Sequence, residues 1–231
     1  YSYMSVDVLD HLYVLTAGNQ LKKLNSNGDS LAAFNDVRKF GNPTYIDVTN
    51  PLKILVYYQH YYTIAVLDRL LINRNNINLR KQNYFGVKAI ATSYDNNIWL
   101  FDEQDMKLKK IDDDGKLLQE STDMRLLTDT APTPSQLIDF DYRVFLYDAE
   151  QGFHIFDYYG APKNKLPFRH WTNIAISRDQ IYGFENNRLF TYNMKTLVVK
   201  QYDLPAYIKD YLSVKAINGK LYLLKKDGVE I

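Results

Sequence analysis

Short apolar segments recur along this chain in a regular pattern, and turn-forming residues separate them. The clearest segments come in pairs and show the alternation of apolar and polar residues that is typical of β-strands. The first members of the six pairs lie at 11–16, 53–58, 97–102, 143–148, 180–185 and 220–225. Their partners lie at 20–25, 63–68, 107–112, 153–158, 188–193 and 228–231. The pairs repeat about every 42 residues, which is the period of a β-propeller blade.

An apolar segment precedes each pair and another follows most of them, so each unit predicts four strands. The dipeptides Asn27-Gly28 and Asn218-Gly219 fall between strands and favour tight hairpin turns. No long segment has the period of a helix. We therefore predict an all-β fold, a six-bladed β-propeller with four-stranded antiparallel blades.

These units are expected to form a single propeller domain across residues 1–231. The repeat units are predicted at about 1–40, 41–84, 85–130, 131–170, 171–208 and 209–231. The sixth unit stops after its second or third strand, at Ile231. We expect the ring to be closed by a terminal strand that comes from outside residues 1–231, and a seventh blade outside these residues is the main alternative.

The amino-acid composition excludes or disfavours several classes of protein function. Lys and Arg number 28 against 27 Asp and Glu, a net charge of +1, which argues against a dedicated nucleic-acid binder. The chain has no cysteine, so disulfide bonds and thiolate metal sites are excluded. No apolar run approaches the roughly 20 residues of a membrane span. The four histidines show no metal-binding spacing, and we predict no catalytic residue, no metal and no cofactor.

Two of the repeats resemble a known propeller family. Residues 10–31, DHLYVLTAGNQLKKLNSNGDSL, and 96–118, NNIWLFDEQDMKLKKIDDDGKLL, resemble the NHL-type six-bladed repeat. More specifically, residues 50–71, 93–118 and 154–160 look like uncharacterised propellers of Bacteroidota cell envelopes. The resemblance implies export and a periplasmic or outer-membrane-associated location, with or without a lipid anchor. It supplies no catalytic residues.

In a propeller, the loops between second and third strands share one face with the connections between blades. Aromatic and basic residues gather in these segments here, as they do in protein-interaction hot spots. The predicted partner-binding residues are Tyr58, His60, Tyr61, Tyr62, Tyr84, Phe85, Phe168, Arg169, His170, Trp171 and Tyr207. The alternative interpretation is that these side chains pack between blades.

The preferred function is a non-enzymatic binding or scaffold protein that docks another protein through this aromatic-rich face. An outer-membrane or secretion-type complex is the expected kind of partner. One alternative is a propeller enzyme, either glycan-active or lactonase-like with a metal in its channel. Another is a glycan-binding sensor. The acidic loop residues, among them Asp102, Glu103 and Asp148, are interpreted as solvated turn residues rather than as acid–base pairs.

Overall fold

The computed structural model describes residues 1–205, 208 and 211–231, and most of its regular structure is β-strand. The strands form six antiparallel sheets, and within every sheet the strands lie side by side in sequence order. This arrangement follows from the short hairpin turns between consecutive strands. The predicted all-β fold, a six-bladed β-propeller, is confirmed.

The chain divides into two compact units, and residues 36–169 form one of them. It holds three four-stranded sheets, the second, third and fourth blades. Their strands are β5 (Tyr45–Asn50), β6 (Lys53–Tyr58), β7 (Thr63–Asp68), β8 (Asn73–Asn78), β9 (Val87–Thr92), β10 (Ile98–Asp102), β11 (Lys107–Ile111), β12 (Leu117–Glu120), β13 (Gln136–Phe140), β14 (Arg143–Asp148), β15 (Gly152–Asp157) and β16 (Pro162–Leu166).

The helices of the described chain are short and lie in connections of this unit. They are α1 (Val37–Phe40) and three turns of 3₁₀ helix at Gln59–Tyr61, Leu79–Gln82 and Met124–Leu126. Within the described residues, no helix has the length and apolar character needed to span a membrane.

Apolar clusters and buried aspartates join neighbouring blades within this unit. Leu55 of the second blade and Leu100 of the third belong to one buried cluster. A second cluster includes Trp99 of the third blade and Leu146 of the fourth. Across the same junction, the Trp99 indole N–H donates a hydrogen bond of 2.9 Å to the carboxylate of Asp139. The joint between the third and fourth blades therefore combines apolar packing with a satisfied polar group.

The other unit comprises residues 1–35 and 170–231 and holds the first, fifth and sixth blades. The strands of the first and fifth blades are β1 (Tyr3–Val6), β2 (Leu12–Leu15), β3 (Leu21–Leu24), β4 (Ser30–Phe34), β17 (Thr172–Ser177), β18 (Gln180–Glu185), β19 (Arg188–Asn193) and β20 (Val199–Asp203). The sixth blade has three strands, β21 (Ser213–Ile217), β22 (Lys220–Leu224) and β23 (Val229–Glu230).

The first and sixth blades pack directly against each other in this unit. Met4 and Val14 share a buried cluster with Tyr222. The Lys220 ammonium also donates a hydrogen bond of 2.7 Å to Asp10, 210 positions earlier in the chain. No strand among the described residues completes the sixth sheet, so its closure by a terminal strand stays a prediction.

Candidate functional site

A pocket of about 380 Å³ lies where the predicted loop face of the second blade meets that of the third. We call it the face pocket. It is formed by the β6–β7 loop, the β8–β9 connection, the start of β9 and the β10–β11 loop. Its lining residues are Gln59, His60, Tyr62, Phe85, Gly86, Val87, Lys88 and Glu103. Three of the predicted partner-binding residues, His60, Tyr62 and Phe85, are therefore brought together here.

Backbone hydrogen bonds fix the β6–β7 loop. It makes one turn of 3₁₀ helix and ends at Tyr62, which has a left-handed φ of 50°. The Tyr62 N–H donates to the carbonyl of Gln59 at 3.0 Å, and its own carbonyl accepts from the N–H of Leu79 at 2.7 Å. The loop is thus tied both to itself and to the start of the next connection, so its side chains are presented at a defined position.

Gly86 allows the β8–β9 connection to lie against the β10–β11 loop. Its carbonyl accepts a hydrogen bond from the Glu103 N–H at 2.9 Å. A Cβ at position 86 would lie only 3.0 Å from the backbone nitrogen of Gln104. The absence of a side chain at Gly86 therefore lets Glu103 and Phe85 share one pocket.

The Glu103 carboxylate is incompletely satisfied. Its Oε1 atom is buried and has no hydrogen-bond partner in the described part of the chain. Its Oε2 lies 3.6 Å from the Lys88 ammonium, which is beyond good hydrogen-bond distance. The neighbouring Asp102 differs, because the Lys109 ammonium donates to it at 2.8 Å and both side chains are nearly inaccessible. Asp102 is therefore a structural ion-pair partner, while Glu103 has capacity for a further donor.

The predicted aromatic residues of this loop face divide into exposed and buried side chains. Tyr61 is 53% exposed, and Phe85 is 45% exposed. Tyr58 is buried at the end of β6, with its ring centre 5.3 Å from that of Phe40. Tyr84 is also buried. Burial raises the pKa of both buried tyrosines. Packing within the unit therefore accounts for Tyr58 and Tyr84, and a partner could contact Tyr61 and Phe85.

The predicted cluster at 168–171 shows a similar division. Phe168 is half-buried and Arg169 is exposed at the end of the 36–169 unit. In the other unit His170 is exposed, whereas Trp171 is only 5% exposed. The Trp171 ring stacks on Phe190, with centroids 5.6 Å apart. Trp171 is thus a core residue of the fifth blade.

Tyr207 lies outside the described residues. Partner binding by the exposed members of the predicted set stays a prediction.

Sequence reasoning missed an exposed aromatic cluster at the opposite loop ends of the third and fourth blades. Tyr94 is 53% exposed, and its ring centre lies 5.2 Å from that of Tyr142 and 4.3 Å from that of Tyr158. The Lys110 ammonium lies 3.7 Å from the Tyr158 ring centre. The sequence feature that could have revealed this cluster is the bulky aromatic residue in each of these hairpin turns. Tyr142 adopts a left-handed φ of 57°, which is unusual for a bulky residue.

A second pocket, of about 330 Å³, lies between the outer strands of the fourth blade and the connection that precedes that blade. We call it the edge pocket. Its lining residues are Met124, Leu127, Thr128, His154, Ile155, Phe156, Pro162, Lys163, Asn164 and Lys165. His154 is 3% exposed, and its Nε2 atom is buried without a hydrogen-bond partner among residues 1–205, 208 and 211–231. Burial, helped by the positive charge of Lys165 and opposed by Asp148, lowers the pKa of His154 to about 4.

The buried imidazole makes stability depend on pH. In the unfolded chain a histidine has a pKa of about 6.5, whereas His154 in the folded protein has a pKa of about 4. At pH values between these two pKa values, the unfolded chain therefore binds one more proton than the folded protein. We therefore expect the free energy of unfolding to fall as pH drops through this window, by about 3 kcal/mol from His154 alone. Urea titrations of the wild type and of His154→Leu, at about pH 7 and about pH 4.5, measure this difference.

The exposed Leu52 provides the control, because Leu52→Ala removes no ionisable group and should leave the pH dependence unchanged. Equal pH slopes for the wild type and His154→Leu would contradict the lowered pKa of His154.

Within residues 1–205, 208 and 211–231, no group of three or more histidine, aspartate or glutamate side chains is placed to hold a metal ion.

Comparisons with known proteins place the fold among propellers. No protein family and no curated protein matches the sequence. A streptogramin B lyase structure is similar with a TM-score of 0.66 and 15% identity, over 98% of this chain and 76% of that one. Virginiamycin B lyase from Staphylococcus aureus has a TM-score of 0.66 and 13% identity, over 96% of this chain and 76% of that one.

Surface proteins of Bacteroidota are also among the structural neighbours. PorZ, a surface component of the type-IX secretion system of Porphyromonas gingivalis, has a TM-score of 0.63 and 13% identity, over 99% of this chain and 30% of PorZ. The extracellular domain of BT4673 from B. thetaiotaomicron has a TM-score of 0.61 and 14% identity, over 99% of this chain and 32% of that one. At these identities the likeness shows the fold alone, and it is compatible with NHL-type repeats.

Proposed function

We propose that this protein is a non-enzymatic binding module of the bacterial cell envelope that docks a partner protein through the face pocket. The observation that carries the proposal is the buried Oε1 atom of Glu103, which accepts no hydrogen bond from any residue that the structure describes. A buried carboxylate oxygen left without a hydrogen bond costs about 1–3 kcal/mol. A partner that supplies the missing donor recovers this free energy.

The chemistry of the face pocket favours a basic side chain of the partner. The Lys88 ammonium lies 3.6 Å from one oxygen of the Glu103 carboxylate, and the other oxygen can still accept from a second cation. The aromatic residues Tyr62 and Phe85 line the same pocket. Aromatic faces attract lysine and arginine side chains by about 0.5–2 kcal/mol. The Arg80 guanidinium already lies 4.6 Å from the Tyr62 ring centre, so this ring is engaged by a cation on one side. An arginine or lysine of the partner would pair with Glu103 between these aromatic walls.

Exposed aromatic rings beside the pocket provide the rest of the docking surface. Tyr61 and Phe85 are each about half exposed, and large rings of this kind dominate binding energies at protein interfaces. The Tyr61 ring lies against Phe40, with centroids 6.4 Å apart, so it is held in place before binding. A rigid ring loses little conformational entropy when a partner covers it.

An exported location is part of the proposal. It is supported by the sequence resemblance to envelope propellers and by structural neighbours, PorZ and BT4673, that are described as surface or extracellular proteins. An outer-membrane or secretion-type complex is the partner class we propose, with the protein attached peripherally or by a lipid. The enzyme alternative has two lyases among the structural neighbours in its favour. We favour binding because Lys109 already engages Asp102 and Asp105, the acids nearest to Glu103 in the β10–β11 loop.

Point substitutions in the face pocket test the docking role. The tagged protein, purified at native level from its own cells, is expected to bring down its partner stoichiometrically. Glu103→Gln and Phe85→Ala are each expected to weaken the purified complex about tenfold or more, which corresponds to about 1.4 kcal/mol. Isothermal titration of each variant with the purified partner measures the change.

Tyr159→Ala is the matched control, since this ring is 73% exposed at the opposite loop ends and should leave affinity unchanged. Glu103→Gln keeps the side-chain shape and removes a charge, so thermal unfolding should begin no earlier than in the wild type. A wild-type protein that is reproducibly recovered alone, or a Glu103→Gln variant with full affinity, would overturn the proposal.

A further inference from the structure

The edge pocket has the size and composition of a small-molecule site. Its volume of about 330 Å³ lies at the lower end of the roughly 300–1,000 Å³ that ligand pockets occupy. Met124 and Phe156 form a buried apolar floor. Exposed lysines stand at its mouth, where β16 forms the outer edge of the fourth blade. This combination of an apolar interior with a few polar groups is typical of sites that bind small organic molecules.

His154 carries the buried polar atom of the edge pocket that has no hydrogen-bond partner among the described residues. It lies in β15, directly opposite Leu146 of β14 and Lys165 of β16. Residues opposite each other in an antiparallel sheet project from the same face, so His154 and Lys165 act on one side of this blade. Among the described residues the imidazole Nε2 is buried without a partner, an unfavourable state that a ligand relieves when it provides a hydrogen bond.

The charges around the edge pocket favour an anion. Lys163 is paired with Asp157 at 3.0 Å. Lys165 is exposed, and none of the ion pairs within the described residues involves its ammonium. No carboxylate is among the lining residues. One positive charge therefore stands uncompensated over a pocket whose deep polar group is a neutral imidazole.

We propose that the edge pocket binds a small amphipathic carboxylate, with its apolar body against Met124 and Phe156. One carboxylate oxygen accepts a hydrogen bond from His154, in the tautomer that carries the proton on Nε2. The Lys165 ammonium compensates the negative charge. Such a ligand gives the imidazole a hydrogen-bond acceptor, pairs the ammonium with a negative charge and covers the apolar floor. A purely apolar ligand would do only the last of these.

A matched pair of ligands tests the charge requirement. Phenylacetate and its uncharged amide, phenylacetamide, have the same apolar body and nearly the same shape. Both are titrated into the full chain with ¹³C-labelled histidine, and NMR follows the His154 ring resonance. We expect phenylacetate to shift this resonance saturably and to bind about tenfold or more tightly than phenylacetamide. The carboxylate alone has the charge that Lys165 compensates.

Three variants locate the site. Lys165→Met should weaken phenylacetate binding about tenfold and leave phenylacetamide binding unchanged. His154→Leu replaces the unsatisfied imidazole with an apolar group, so it is expected to fold and to bind phenylacetate more weakly in calorimetry. Lys116→Met, at an exposed lysine of another turn, is the control and should change nothing.

The proposal is overturned if phenylacetate at millimolar concentration leaves the His154 resonance unshifted, or if acid and amide bind equally. It is also overturned if Lys165→Met binds phenylacetate as tightly as Lys116→Met does. The edge pocket shares no lining residue with the face pocket, so Glu103→Gln should retain full phenylacetate binding whether or not partner docking is lost.

Discussion

Replacing Gly183 with alanine is expected to lower the free energy of unfolding by about 2–3 kcal/mol, because the fifth blade has no room for a methyl group there. A Cβ at this position would lie 2.3 Å from the Trp171 ring. That ring cannot easily move away, since it is buried and stacks on Phe190. Chemical denaturation followed by circular dichroism measures the loss. We also expect red-shifted tryptophan emission if the indole is pushed toward solvent.

A double-mutant cycle isolates the clash. Trp171→Ala alone should cost about 3–5 kcal/mol, as expected for removal of a buried tryptophan. If the clash is with the indole, adding Gly183→Ala to Trp171→Ala should cost little more, so the two effects will be strongly non-additive. Gly18→Ala is the control, because only Thr16 lies near its added methyl group, at 4.0 Å. Simple additivity of the two substitutions would show that Trp171 is not the obstacle.

Replacing Asp139 with alanine is the second change with a large expected effect, a loss of about 3 kcal/mol in unfolding free energy. Asp139 in β13 of the fourth blade accepts hydrogen bonds from the third blade. They come from the Trp99 indole at 2.9 Å, the Ser93 hydroxyl at 3.2 Å and the Tyr94 N–H at 3.3 Å. Trp99 is fully buried, so its N–H would lose its acceptor without access to water. Urea denaturation of the full chain measures the effect.

The isosteric Asp139→Asn should be much milder, at about 1 kcal/mol or less. Burial raises the pKa of Asp139 despite its hydrogen bonds. The charged form is therefore disfavoured in this environment, and a neutral amide oxygen can still accept from the indole. The exposed Asp129 serves as control, with Asp129→Ala expected within about 0.5 kcal/mol of the wild type. Equal losses for the alanine and asparagine variants of Asp139 would mean that the hydrogen bond is not what stabilises this joint.

The strands could be predicted from the sequence because each blade is built from local hairpins. The second and third strands of all six blades lie within one residue of the predicted ends. The alternating apolar pattern marks the strands, and glycine or asparagine marks the turns. At the Asn218-Gly219 hairpin both residues take left-handed φ angles, 52° and 76°, as the predicted turn type requires. None of this depends on contacts between distant parts of the chain.

The candidate site was only partly predictable, because burial at a strand end depends on which way each side chain projects. Tyr84 and Phe85 are adjacent, yet the first is 6% exposed and the second 45%. Composition cannot distinguish them, since both are aromatic residues in one connection. Glu103 enters the site only because Gly86 allows two loops of neighbouring blades to touch. The sequence did not indicate that His154 would lack a hydrogen-bond partner, because a histidine inside an apolar strand is usually a core residue whose hydrogen bonds are made.

The contact between Lys220 and Asp10 has a consequence for the order of events during folding. Each blade pairs strands that are neighbours in sequence, so any of them can form early at a small cost in chain entropy. The Lys220–Asp10 contact instead brings together residues 210 positions apart, and it forms at low entropic cost only once the intervening chain is ordered. Interactions made after the transition state govern the rate of unfolding rather than the rate of folding. We therefore expect substitutions at the joint between the first and sixth blades to raise the rate of unfolding while leaving the rate of folding nearly unchanged.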